Sequence, residues 1–275
     1  MLRAGDTMFE RIGDLDVYHE EQGQGHPLVL VHGTGADTFS WTEMMPRLAQ
    51  SFRTIALDMR GFGQTRRPAE PLLSHEVWRD DLRRFIESRE LGRVALAGWS
   101  LGGTVALNFV VHHPELVSHL VILGSASPRV ALSDRGGFAE RIRLAQAGEP
   151  IETIIAKTFE FTARALSPVV RKTNPRAEAL TRELLLRNRP EWYAEAVAAN
   201  ARRPDIGARL GEIACPALII VGDADTRNGL EHAQDLTKAI PGAFMKVIED
   251  CGHFYGFEQP AATADAMVRF LTAFA

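Results

Sequence analysis

Short runs of consecutive apolar residues punctuate the chain: Leu28-Val29-Leu30-Val31, Ile55-Ala56-Leu57, Val94-Ala95-Leu96-Ala97, Leu120-Val121-Ile122-Leu123 and Leu218-Ile219-Ile220-Val221. Runs of this length without polar alternation predict strands buried on both faces, as in a parallel sheet covered by helices. A further strand is predicted over Phe244–Ile248. Ahead of them, Phe9–Ile12 and Asp16–Glu20 alternate and are joined by Gly13-Asp14, which predicts an opening hairpin. Between strands the period changes. Trp78, Leu82, Phe85 and Ile86 fall on one helical face behind Ser74, a good N-cap, so a helix is predicted to about Leu91. Other helices are predicted over Trp41–Gln50, after Ser100, from about Gly229 and from about Pro260. Over residues 126–213 no strand pattern occurs; helical segments are broken by Pro150, Pro168, Pro175, Pro190 and Pro204. The expected architecture is α/β: a mostly parallel eight-stranded sheet with helices on both faces. Residues 1–125 and 214–275 form its core, and 126–213 a helical insertion.

Composition narrows the class. The 275 residues are 45% hydrophobic and 24% charged, and the net charge is −4. Such a chain has no general attraction to nucleic acid or to anionic membrane. Its apolar runs are too short to span a bilayer, and Met1–Asp6 contains no apolar signal core. A cytoplasmic protein is expected. The insertion leans basic, with fifteen Lys and Arg against eleven Asp and Glu; it is either a solvated helical surface or a lid that attracts an anionic substrate. Cys215 and Cys251 flank two predicted neighbouring strands at opposite ends. A separation of roughly 16 Å, from about five residues at roughly 3.3 Å each, is beyond the roughly 7 Å a disulfide allows. Free thiols are expected, and no His/Cys spacing suggests a metal.

The chemistry centres on Gly98-Trp99-Ser100-Leu101-Gly102, set between a predicted strand and a predicted helix. Strand, G-x-S-x-G and helix are the context of a nucleophile elbow. The serine sits in a turn so sharp that a Cβ two residues away on either side would clash. A serine hydroxyl needs a general base, and the base needs an orienting acid. Both are expected beyond the carboxyl ends of later strands. Gly222-Asp223-Ala224-Asp225 ends one, and Asp250-Cys251-Gly252-His253 ends the next. His253 is the candidate base; Asp223 and Asp225 compete as the acid, with Asp250 a distant third.

Taken together these motifs resemble the α/β-hydrolase superfamily in its lid-bearing form. The resemblance spans nearly the whole chain. It rests on His32-Gly33-Thr34-Gly35, on Asp58 with Gly61-Phe62-Gly63, on the elbow, and on the two late loops. It implies the α/β-hydrolase fold and favours Asp225 as the acid. It also implies that the backbone N–H groups of Thr34 and Leu101 form the oxyanion hole. His32, Gly33, Gly98 and Gly102 then support the motif, His32 by bracing the loop. Phe62, Trp99 and Phe254 either line a pocket or pack in the core, and Phe159, Phe161, Trp192 and Tyr193 are candidates to roof it.

The activity expected is hydrolysis of a carboxylic ester or lactone through an acyl-enzyme. No cofactor or metal is implied, the partner is a small-molecule substrate, and the oligomeric state is left open, a homodimer among the options. A second expectation comes from Leu57–Pro68, which resembles hydrolases of ring-cleavage 2-hydroxy-6-oxo-dienoates, enzymes that break a carbon–carbon bond. Phe254, where those enzymes commonly carry Trp, and Trp99 at the elbow depart from that pattern. A third is a hydrolase-fold binding protein with little turnover.

Overall fold

The computed structural model describes residues 7–68, 72–128, 138–163 and 165–274. Eight strands form one sheet: β1 (Thr7–Ile12), β2 (Leu15–Gln22), β3 (Pro27–Val31), β4 (Arg53–Leu57), β5 (Val94–Trp99), β6 (Val117–Leu123), β7 (Ala217–Gly222) and β8 (Phe244–Ile248). Their order is β1-β2-β4-β3-β5-β6-β7-β8. The β1–β2 and β2–β4 pairs are antiparallel and all others parallel. The hairpin turns at Gly13, whose φ of +62° suits glycine.

Alternation along each strand divides the core in two. Val29, Val31, Leu96, Leu120, Ile122, Ile219 and Val221 face one side. Leu28, Leu30, Ala95, Ala97, Val121, Leu218 and Ile220 face the other. Because side chains point alternately up and down, an uninterrupted apolar run is what a strand needs to serve both cores.

The helices in chain order are α1 (Met45–Leu48), α2 (His75–Ser88), α3 (Leu101–His112), α4 (Phe138–Gln146), α5 (Ile151–Ala163), α6 (Pro168–Thr173), α7 (Pro175–Leu186), α8 (Pro190–Ala201), α9 (Leu230–Ala239), α10 (Tyr255–Glu258) and α11 (Pro260–Ala273). Helices α2, α3 and α9 cover the first face; α1 and α11 cover the second. The side chain of Ser74 caps α2 by accepting from Val77 N–H. The helix expected over Trp41–Gln50 is instead a 3₁₀ turn, Thr38–Trp41, followed by the single turn of α1. Asp37 caps the 3₁₀ turn, and Pro46, which has no N–H to donate, restarts the helix.

Between β6 and β7 the described residues form only helices, α4 to α8, and a 3₁₀ turn. They have a small apolar centre of their own around Leu144, Ile154, Ile155, Tyr193 and Val197. No helix among the described residues is long and apolar enough to cross a membrane. Both cysteines are free.

Candidate active site

The strand order reverses direction between β3 and β5. That is a topological switch point, where the loops leaving two neighbouring strands diverge and open a crevice. Ser100 follows β5 directly and Gly33-Thr34 follow β3 shortly after its end. The Ser100 backbone has φ +54° and ψ −113°, a conformation that costs a non-glycine residue ~1–3 kcal/mol. The surroundings hold it there. Ser100 N–H donates to Leu123 O at 3.0 Å, and Ser125 Oγ–H donates to Ser100 O at 2.6 Å. A Cβ on Gly98 would lie 2.3 Å from Gly102 O, and one on Gly102 would lie 2.1 Å from Val31 O. Neither distance is tolerable, so the elbow cannot form with any other residue at these positions. A Cβ on Gly33 would lie 3.1 Å from Ser100 Cβ, which shows how closely the β3 loop approaches the serine.

Helix α3 begins at Leu101. Its N–H is one of the first-turn donors that no carbonyl inside the helix can reach. Thr34 lies on the facing loop, where Ala36 N–H closes a turn on Gly33 O at 3.2 Å. Thr34 Oγ1 accepts from Asn200 Nδ2 of α8 at 3.1 Å. Beneath the loop, His32 Nε2 accepts from Met59 N–H at 3.0 Å, so Nδ1 carries the proton and donates to Gly33 O at 2.8 Å. Burial pushes the His32 pKa down to about 4; a neutral imidazole ties the ends of β3 and β4 together.

On the loops after β7 and β8, His253 Nδ1 meets Asp225 Oδ2 at 2.9 Å. The Asp225 side chain has no solvent exposure and that of His253 only 5%, so this contact acts at low local dielectric. Burial alone would raise the Asp225 pKa; the His253 contact and the Arg227 and Asn228 N–H groups reverse that and hold it below the usual value. Those two N–H groups donate to Asp225 Oδ1 at 2.8 and 3.1 Å. Asp223 does other work: it accepts from Asp250 N–H and Cys251 N–H, both at 3.1 Å, and fastens the two loops to each other. Asp250 is exposed, with φ +50°.

Trp99, the residue before Ser100, ties the His253 loop to the elbow. The Trp99 indole N–H donates to His253 O at 2.8 Å, and the two ring centroids lie 5.6 Å apart. The described hydrogen bonds do not include one from Ser100 Oγ to His253 Nε2; in ligand-free sites such bonds are often long and tighten with substrate. Trp99 and Phe254 pack edge to face at 5.5 Å. Phe62 is buried against His32 and Trp78. Tyr193 packs on the β3 loop at Gly35. Trp192 is stacked against Arg67 and Arg189 at an outer groove. The side chains of Phe159 and Phe161 lie outside the described residues.

Two supporting groups escape a reading of the sequence. Tyr255 O–H donates to Asp225 Oδ2 at 3.0 Å and accepts from Gly222 N–H at 3.0 Å. Glu258 accepts from Gly252 N–H, Phe254 N–H and Ser167 N–H at 2.9, 2.8 and 2.6 Å. Its carboxylate thus braces the loop that carries His253, and joins it to the linker between α5 and α6. The only sequence signal is their spacing, two and five residues after His253. No group of three or more metal-ligating side chains occurs among the described residues.

A strained serine between β5 and α3 and a buried Asp–His pair on the loops after β7 and β8 fit the class of α/β hydrolases built on a nucleophile elbow. A family model described as the alpha/beta hydrolase fold matches residues 26–260, and the chain belongs to that family. It is similar to a 2-hydroxymuconate semialdehyde hydrolase of Pseudomonas sp. (strain CF600), 29% identical over 91% of this chain and 88% of the relative. A pimeloyl-[acyl-carrier protein] methyl ester esterase of Vibrio vulnificus is 25% identical over 93% of this chain and 98% of its own. Among solved structures, a thermophilic esterase from Thermogutta terrifontis superposes with a TM-score of 0.85 at 27% identity, covering 98% of both chains. The chain is therefore a hydrolase.

Proposed function

We propose that the protein is a serine hydrolase of a carboxylic ester or lactone, acting in the cytoplasm on a small molecule. The single observation that carries this reading is the joint placement of strained Ser100 and the buried Asp225–His253 pair on loops that leave the same edge of the sheet. His253 Nε2 takes the Ser100 proton, and Ser100 Oγ attacks the substrate carbonyl. The oxyanion is held by the N–H groups of Thr34 and Leu101, donors of the type worth about 10²–10³ in rate each. His253 then protonates the leaving alkoxide. It next activates water to release the acyl group. Asp225 keeps the Nδ1–H tautomer and stabilises the imidazolium. The helical segment 126–213 serves as a lid, because it contacts both halves of the crevice: Asn200 at Thr34, and Ala165 O, which accepts from His253 N–H at 2.6 Å.

Ser100→Ala is expected to reduce turnover of short p-nitrophenyl esters by at least a thousand-fold with unchanged circular dichroism. Activity surviving in that variant rejects the assignment.

The similarity to a hydrolase named for 2-hydroxymuconate semialdehyde supports a second reading, in which the same serine cleaves a carbon–carbon bond. Incubation with a 2-hydroxy-6-oxo-dienoate decides between them: bleaching of the conjugated chromophore at a rate exceeding ester turnover favours the second.

A further inference from the structure

Thr34 stands between two glycines, Gly33 and Gly35, in the loop that follows β3. Glycine restrains the backbone least, and Gly35 uses that freedom, with φ +69°. The direction of the Thr34 N–H is therefore not fixed by its neighbours along the chain. The core holds the two ends of the loop. His32 Nδ1 donates to Gly33 O at 2.8 Å, and Asp58 Oδ1 accepts from Thr38 N–H at 2.7 Å.

The middle of the loop is held from the helical segment. Asn200 Nδ2 donates to Thr34 Oγ1 at 3.1 Å, Asn188 Nδ2 to Gly35 O at 2.8 Å, and Arg187 Nε to Asp37 Oδ2 at 2.6 Å. Tyr193 packs on Gly35, where a Cβ would lie 2.7 Å from its ring. The Asn200 bond falls on Thr34 itself. A threonine side chain is β-branched, and its χ1 is coupled to its own backbone angles. Fixing Oγ1 thus fixes the direction of the N–H on the same residue. Asn200 lies in the last turn of α8. It stands next to the buried His75 of α2, so its amide is braced by the core.

We propose that Asn200 is a positioning residue for the reaction: by holding Thr34 Oγ1 it aims the Thr34 N–H at the oxyanion. This rests on the hydrolase reading above. The helical segment then does more than cover the crevice, because its docking completes the oxyanion hole. Oxyanion donors act only when they are aimed at the place where charge develops. A loop with a glycine on each side of the donor gains that aim from the α8 contact.

The test uses the full chain with p-nitrophenyl butyrate as substrate. Thr34→Val removes the side-chain acceptor but keeps the backbone N–H and the β-branched shape; Asn200→Ala removes the donor. Each is expected to lower kcat by about ten- to a hundred-fold, with KM changed by no more than about two-fold. The double variant is expected to be no slower than the slower single one, since both remove the same bond. Thr34→Ser keeps the hydroxyl and is expected to retain most of the activity. Trifluoroacetophenone, whose adduct with Ser100 Oγ carries the same oxyanion, is expected to bind more weakly in Thr34→Val and Asn200→Ala, in proportion to their loss of kcat/KM. Full kcat in Thr34→Val, losses that multiply in the double variant, or a change in KM with unaltered binding of the ketone overturns the positioning role and leaves the hydrolase. A wild type inert toward both ester and ketone overturns the hydrolase reading, and the positioning role falls with it.

Discussion

At the residue scale, His253, the proposed base, is held by more than one carboxylate. Asp225 fills its two oxygens completely, with Arg227 and Asn228 N–H on Oδ1 and His253 and Tyr255 on Oδ2. In Asp225→Asn the amide oxygen must stay on the Oδ1 side to keep the two backbone bonds. The NH₂ group then faces His253 Nδ1 and forces the proton to the other ring nitrogen, where it blocks acceptance from Ser100. A loss of about 10³–10⁴ in kcat for p-nitrophenyl esters is expected, with little change in KM. A loss below ten-fold would show that the tautomer is set elsewhere. Glu258 acts one step further out. Glu258→Gln removes an acceptor from a cluster of three N–H donors, each at 2.9 Å or less. The expected cost is about 1–3 kcal/mol, seen as a lower urea midpoint, and kcat falls with it because the His253 loop loosens.

At the scale of elements, the loops are held by close backbone approaches that only glycine permits. Gly252 is the clearest case outside the elbow: a Cβ there would lie 2.1 Å from Ala165 O and 2.7 Å from Ser167 N. The His253 loop and the α5–α6 linker therefore touch through bare backbone. Gly252→Ala must separate them. It is expected to lower kcat/KM at least ten-fold and to speed tryptic cleavage within 126–213; unaltered proteolysis would mean the contact does not anchor that segment. Two further attachments hold the helical segment to the loop after β3. Arg187 Nε meets Asp37 Oδ2 at 2.6 Å, and Asn188 Nδ2 donates to Gly35 O at 2.8 Å. Arg67 and Glu195 pair nearby. The elements themselves were legible in the sequence because their signals are local. Uninterrupted apolar runs mark strands with two cores to fill, and Ser74 marks the start of α2. The stretch over Trp41–Gln50 misled because its apolar spacing suits a helix while Asp37 and Pro46 divide it into two short turns.

At the scale of the molecule, buried neutral histidines govern the response to acid. Burial lowers the pKa of His32 and His75 to about 4, and lowers those of His19 and His232. In the unfolded chain these groups take up protons near pH 6.5; in the folded protein they do not. Between about pH 6.5 and pH 4 the unfolded state thus binds more protons, and stability falls as pH falls. Asp58, raised by burial and by Asp37 to about 7, works in the opposite direction, as does Glu258, raised by burial. The histidines outnumber them. The urea midpoint is expected to drop steadily from pH 7 to pH 4.5, and a flat profile would contradict the burial of these rings as neutral species.

The sequence alone determined the α/β layering, the elbow and the candidate trio of Ser100, an aspartate of the β7 loop, and His253. Each of these is written in a local pattern: period, glycine spacing, or position at the end of an apolar run. Tertiary structure decided what depends on distance through space. It separated the two aspartates, giving Asp225 to His253 and Asp223 to the loop backbone. It brought Tyr255 and Glu258 beneath the site, and it brought Asn200, from a distant segment, to Thr34. Hydrogen bonding and burial are properties of neighbours in space, and a chain states its neighbours only once it has folded.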